Sequence, residues 1–270
     1  TATTEIYTLS LHDALPISKK VAEGLDGLVM DVKCGSGAFC DTEPMARDLA
    51  QSLVEVANKA GLPTVALMTD MDRVLGRTVG NALEVMEAVA YLKGEAGRDA
   101  RLHEVVMELA GEMLALVRLA PSVAAGRARA QSALDDGRAA EKFARMVDAL
   151  GGPSDFLDRP ARYLAQAPVV KPCPAGRGGY VTGMNVRDVG LAVVAMGGGR
   201  MHADDAIDSS VGLSQVLDVG APVGAGDALC MVHAGTDAAA EEAVTRLRAA
   251  IRVGEQAPVA KPVVMGRIAQ

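Results

Sequence analysis

Apolar positions Leu28, Val29, Met30 and Val32 form a run broken by Asp31 and Lys33, and the chain then loses side-chain bulk at Gly35-Ser36-Gly37. This pattern predicts a buried strand over residues 28–33 whose carboxyl end opens onto a ligand. In open α/β sheets, ligands bind at that end. Pro44 suits a helix first turn, and Met45, Leu49, Leu53, Val56 and Ala60 follow at helical spacing until Gly61 and Pro63 stop the pattern. A second short apolar run over 64–68 ends on Thr69 and Asp70. Strand, helix and strand in this order predict a βαβ unit with a right-handed crossover and a parallel sheet flanked by helices.

A turn through Leu75 to Thr78 enters a helix at about Asn81, whose side chain is the expected N-cap. Helical periodicity recurs over 101–116, 123–135 and 139–150, with breaks at Gly137 and at Gly151-Gly152-Pro153. Residues 155–167 are poorly periodic and read as a linker. Beyond Pro168 the pattern predicts a strand over 179–184, a helix over 186–196 stopped by Gly197-Gly198-Gly199, and a final helix over 238–251. Residues 212–233 have the turn-and-strand rhythm of a lipoyl- or biotinyl-type barrel sandwich. The predicted organisation is an α/β domain over 18–154, the linker over 155–167, and a carboxyl-terminal α+β domain over 168–270.

Composition narrows the partners. The 270 residues include 34 acidic and 27 basic side chains, a net charge of −7 that opposes nonspecific attraction to nucleic acid or anionic membrane. The apolar half of the chain is spread through amphipathic stretches, with no run near the roughly 20 residues of a membrane helix and no basic-then-apolar leader. A soluble cytoplasmic protein is therefore expected. Cys34, Cys40, Cys173 and Cys230 lack paired metal spacing and the density of a secreted framework, so buried free thiols are expected. Residues 1–17 depart from the alanine, valine, glycine and arginine bias that begins at Lys19. They resemble a translated sequencing adapter, and we read them as a foreign or disordered segment.

Five motifs in one order carry a resemblance. They are Ser18-Lys19-Lys20, residues 30–39 (MDVKCGSGAF), Thr69-Asp70-Met71, residues 80–85 (GNALEV) and residues 193–200 (VVAMGGGR). Together they resemble thymidine phosphorylase and its pyrimidine-nucleoside phosphorylase relatives, from Ser18 to about Arg267. The resemblance implies a glycosyltransferase α/β domain of the type shared by nucleoside phosphorylases and phosphoribosyltransferases, followed by an α+β hammerhead or barrel-sandwich domain. Members of the family run longer, so the chain reads as their carboxyl-terminal three-fifths. The implied reaction is phosphorolysis of thymidine to thymine and 2-deoxy-α-D-ribose 1-phosphate. Inorganic phosphate is the co-substrate, and no organic cofactor is required.

In this reaction negative charge builds on the departing base, and a cation near the base carbonyls stabilises it as it develops. By motif that cation is Lys19, the implied catalytic and substrate-binding residue, and the position matching the family's serine partner is Leu15. Lys33 is the better of the two strand-end candidates for substrate binding, since phosphate and ribose need a donor; Asp31 and Lys33 also have the option of pairing with each other. The family's glycine-rich phosphate loop has no counterpart in these 270 residues, so the chain alone is expected to be inactive. The resemblance further implies a potassium-like ion on the carbonyls of Leu75 and Thr78 and the carboxylate of Glu87, hard oxygen donors suited to such an ion. The family homodimer packs through a helical domain that this chain mostly lacks.

Three other readings bear on function. A broad pyrimidine-nucleoside phosphorylase acting on uridine and thymidine uses the same chemistry. An anthranilate-type phosphoribosyltransferase shares the α/β fold but needs an acidic pair for magnesium-pyrophosphate and lacks the extra carboxyl-terminal domain. A lipoyl or biotinyl carrier needs an exposed hairpin lysine, and none occurs from Arg200 to Ala260. His103, His202 and His233 are not at metal-ligand spacing and read as surface or packing residues.

Overall fold

The apolar run at Leu28 and the one at Thr64 lie side by side as parallel strands, paired from Leu28↔Thr64 to Cys34↔Asp70. The computed structural model describes residues 20, 22–95 and 97–269. In chain order its first elements are β1 (Leu28–Cys34), α1 (Glu43–Lys59), β2 (Thr64–Asp70), α2 (Asn81–Lys93), α3 (Ala100–Leu116), α4 (Val123–Asp135) and α5 (Arg138–Ala149). They are followed by β3 (Val169–Pro174), β4 (Gly179–Met184), α6 (Val186–Val193), β5 (Gly212–Ser214), β6 (Pro222–Val223) and β7 (Ala228–Ala234). The last three are α7 (Asp237–Ala250), β8 (Ile251–Gly254) and β9 (Val264–Ala269). Contacts divide the chain into two units, one gathering the stretches up to 70, 103–132 and from 262 on, the other 71–102 and 133–261.

In the first unit, β2 is central and all seven of its residues are buried. The βαβ expectation holds, but an entirely parallel sheet does not. The order is β1-β2-β9, and β9 pairs antiparallel with β2, making the sheet mixed. Gly266 and Arg267 interrupt the apolar positions of β9, which hides the strand from a periodicity reading. Arg267 reaches from β9 to α3, where the buried Glu112 carboxylate accepts from its Nε at 2.5 Å and from its Nη2 at 3.0 Å. That bidentate pair meets the charge of a carboxylate held almost out of water.

Helix α1 is rotated from its predicted face. The sequence favours Met45, Leu49, Leu53, Val56 and Ala60, whereas the buried residues are Ala46, Ala50, Leu53, Val54 and Ala57. Met45 is 47% exposed, while Ala46, Ala50 and Ala57 are fully covered. Alanine methyls let the helix backbone approach the sheet closely, so small residues outrank larger ones on this face.

The second unit contains two three-stranded antiparallel arrangements, ordered β3-β7-β5 and β6-β4-β8, and neither closes into a barrel. The barrel-sandwich expectation is corrected to open small sheets packed with α6 and α7. Val181, Val189, Leu213, Val232 and Leu247 are fully or almost fully buried in this core. Asn185 caps α6 by accepting from the Asp188 N–H at 3.3 Å, and Thr236 caps α7 by accepting from the Ala239 N–H at 3.2 Å. The α-helix predicted over 186–196 ends at Val193 and continues as a wider turn over Val194–Gly198, where Gly197 takes φ +96°. The strand expected over 179–184 and the helix over 123–135 coincide with β4 and α4.

All four cysteines are free and buried. Cys173 and Cys230 face one another across β3 and β7. The Cys173 contact, with burial, pushes the Cys230 thiol up. A buried protonated thiol is a poor nucleophile. Titration of the native protein with an aromatic disulfide reagent at neutral pH is expected to show no fast-reacting thiol, and four after unfolding in guanidinium. Rapid stoichiometric reaction in the native state would contradict this packing.

Candidate functional site

Three side chains close a polar ring at the carboxyl ends of β1 and β2. Asp31 and Lys33 lie two residues apart on one face of β1, and Lys33 is paired in register with Thr69 of β2. Lys33 Nζ is 2.6 Å from Asp31 Oδ2, and it donates to Thr69 Oγ1 at 3.1 Å. Thr69 Oγ1 in turn donates to Asp31 Oδ1 at 2.5 Å. The Lys33 and Asp31 side chains keep 29% and 22% of their exposure, so the ring is neither fully buried nor bathed in water. A lysine ammonium has three donors. Among the described residues two are engaged, on Asp31 and Thr69, leaving one N–H for a ligand.

Sequence reading offered Asp31 and Lys33 as partners or as ligand-holding groups, and the structure brings them together. It also adds Thr69, whose bridging role the sequence reading did not assign. The legible signal was that both strands end on polar residues; which of those residues face each other depends on register.

The turn before α2 is the second cluster. Glu87 reaches back from α2, where its Oε1 accepts from the Arg77 N–H at 2.7 Å and its Oε2 from the Thr78 hydroxyl at 2.5 Å. Gly76, at φ +75°, makes room: an added Cβ would lie 2.8 Å from Glu87 Oε2. The turn is also clasped to β5, through Val79 N–H to Leu213 O at 2.9 Å and Leu213 N–H to Val79 O at 2.7 Å. Gly80 and Gly212 permit that approach, since a Cβ on Gly80 would lie 2.6 Å from the Val211 carbonyl. Gly80, not Asn81, holds the N-cap position of α2. Asn81 is the first helical residue, and its amide donates to the Gly198 carbonyl at 3.3 Å. Among the described residues no hydrogen bond engages the carbonyls of Leu75 or Thr78, whereas Val216 N–H takes that of Arg77 at 3.0 Å. The Leu75 and Thr78 carbonyls belong to the turn that the Glu87 carboxylate, reaching back from α2, holds in place.

Lys19 lies outside the described residues, as does Leu15. The Gly35-Ser36-Gly37 segment folds as a turn in which the Gly35 N–H is donated to Cys40 O at 3.0 Å and the Ala38 N–H to Gly35 O at 2.9 Å. His202 is exposed, with Nδ1 3.6 Å from Asp205 Oδ2, and His233 contacts Ser214. Among the described residues there is no group of three histidine, cysteine or acidic side chains able to hold a metal ion, and no helix is long and apolar enough to cross a membrane.

Comparison with known proteins bears on this geometry. Residues 16–140 match the glycosyl transferase family a/b domain, and residues 180–254 match the pyrimidine nucleoside phosphorylase C-terminal domain. The chain is 51% identical over 253 residues to thymidine phosphorylase of Burkholderia cenocepacia strain HI2424, covering 94% of this chain and 58% of that protein. It is equally similar, over the same shares, to the thymidine phosphorylases of Burkholderia orbicola strain AU 1054 and of a Burkholderia lata strain. The chain therefore spans somewhat more than half the length of these relatives.

The Glu87 contacts predict a local stability cost. Glu87→Ala leaves the Arg77 N–H and the Thr78 hydroxyl without their charged acceptor, so the free energy of unfolding is expected to fall by about 1–2 kcal/mol. Urea denaturation measures it, and an unchanged midpoint would show that the carboxylate does not hold the turn.

Proposed function

We infer that this chain, which belongs to the thymidine phosphorylase and pyrimidine-nucleoside phosphorylase family, supplies the carboxyl-terminal part of a site for phosphate-dependent cleavage of thymidine. The observation that carries the reading is 51% identity to a thymidine phosphorylase over 94% of the chain, a stretch that takes in the strand pair ending in Asp31, Lys33 and Thr69. Thymidine is favoured over a broader pyrimidine range because the relatives compared carry that substrate in their names. The products are thymine and 2-deoxy-α-D-ribose 1-phosphate.

In this reading the chain's own residues divide the work by charge. The C1′–N1 bond breaks as phosphate oxygen attacks C1′, the bonding pair leaves with the base, and the base becomes an anion. By motif the Lys19 ammonium is the group assigned to that anion, since a fixed positive charge stabilises negative charge as it develops. Lys33, oriented by Asp31 and Thr69, offers its remaining N–H to sugar or phosphate oxygen. Orienting the ammonium before substrate arrives lowers the ordering cost of binding. The carbonyls of Leu75 and Thr78 and the carboxylate of Glu87 would hold a potassium-like ion, which supplies positive charge and fixes the turn. Glu87 already has two protein donors, so an ion would share a carboxylate that the turn itself positions.

In this reading the chain carries only part of the site. By the resemblance, the family's glycine-rich phosphate loop has no counterpart among the 270 residues, and the division into an α/β domain, a linker over 155–167 and a carboxyl-terminal domain belongs to the same reading. We take the active family homodimer to need more than this chain provides.

The test is release of thymine from thymidine. The purified 270-residue protein is expected to give none above background. The same protein joined at Lys19 to the upstream part of the Burkholderia cenocepacia relative is expected to give phosphate-dependent release, lowered at least tenfold in kcat/KM by Lys19→Ala and by Lys33→Ala. Equal release from the unextended chain would overturn the incompleteness. Magnesium-dependent use of phosphoribosyl pyrophosphate by the extended protein, without phosphorolysis, would overturn the reaction class.

A further inference from the structure

A cavity of about 250 Å³ lies within the second unit, lined by none of the residues assigned above. One wall is a face of α2 formed by Ala82, Leu83 and Met86. Another part of the lining comes from the segment after the Pro160–Arg162 turn, through Leu164, Ala165 and Ala167. Val170 of β3 and His233 of β7 are paired in register and contribute together.

Three features define what this space can hold. First, among the described residues no aspartate, glutamate, lysine or arginine lines it, so a charged ligand would find no counter-charge there. Second, its volume falls just below the roughly 300–1,000 Å³ of pockets for drug-sized ligands, which suits a molecule of one or two fused rings. Third, its polar points are few: the amide of Gln166, the hydroxyl of Ser210 and the imidazole of His233. The Ser210 hydroxyl already donates to Asp208 Oδ1 at 2.6 Å. His233 Nε2 lies 2.8 Å from Ser214 Oγ, which fixes the ring. Among the described residues its other nitrogen has no hydrogen-bond partner. Burial holds the imidazole below its usual pKa, so it is neutral at neutral pH, with one nitrogen left to donate or accept according to tautomer.

We propose that this cavity is a binding site for a small, neutral, flat and largely apolar molecule with one hydrogen-bonding group, anchored by His233. The apolar walls give affinity by removing ring surface from water, and the single polar anchor orients the ring. None of the residues that line it is used in the phosphorolysis reading, so the two are tested separately.

Indole, neutral and flat with one N–H, is the probe, and indole-3-acetate is its charged counterpart. Calorimetric or NMR titration of the 270-residue protein is expected to show saturable indole binding with a Kd below about 1 mM, a level reachable by a ligand of this size. Indole-3-acetate is expected to bind at least tenfold more weakly. Ala167→Leu, which fills the cavity, should weaken indole binding at least tenfold, and His233→Phe should weaken it severalfold, with circular dichroism confirming that each variant is folded. If Ala167→Leu does not fold, His233→Phe with the charged probe decides the matter. Absence of saturable binding, equal affinity for the acid, or indole binding unchanged in the folded variants would overturn the proposal.

Discussion

The carboxyl ends of β1 and β2 are set by a conflict between burial and polarity. Every residue of β2 is buried, yet the strand finishes on Thr69 and Asp70. A hydroxyl withdrawn from water in such a place needs partners, or it costs free energy of the same order as a net hydrogen bond. Thr69 finds both a donor and an acceptor on the neighbouring strand, and the in-register parallel pairing puts them there. A one-residue slip would turn Asp31 and Lys33 to the opposite face and leave Thr69 without either. The polar ring and the register therefore depend on one another, and the position of the Lys33 ammonium follows from both.

The turn before α2 follows the same logic with different materials. Its backbone is fixed on one side by β5 and on the other by a carboxylate carried on the helix it introduces. The glycines at 76, 80 and 212 sit where a Cβ would collide with that carboxylate or with the partner backbone. In both clusters the charged group is oriented by hydrogen bonds from short side chains or main chain, which reduces the freedom lost when a ligand arrives.

Much of the secondary structure was legible because local patterns were strong. The strand over 179–184 and the helix over 123–135 are bounded by glycine, proline or polar breaks, and the αβ alternation after Leu28 follows hydrophobic period. The misses share a cause. β9 and β3 contain Gly266, Arg267, Pro172 and Pro174, so their strand character comes from partners distant in sequence. The buried face of α1 was misread because alanine contributes little to a hydrophobic stripe but a great deal to close packing. The candidate site was legible in part: Lys33 stood out as a charged group at a strand end and Glu87 by motif, while Thr69 and the glycine clasp required register and backbone approach. Lys19, which carries the proposed chemistry at the base, stood out by motif and lies outside the described residues.

The dependence of the strand ends on their polar ring is measurable as a coupling. A double-mutant cycle of Asp31→Asn, Lys33→Met and the pair together, followed by urea unfolding, isolates the interaction across the 2.6 Å contact. Mutual dependence predicts a coupling free energy of about 1 kcal/mol or more, with the double variant losing less than the sum of the single losses. Strict additivity of the two substitutions would contradict it, because the ammonium and the carboxylate would then be held in place by something other than each other.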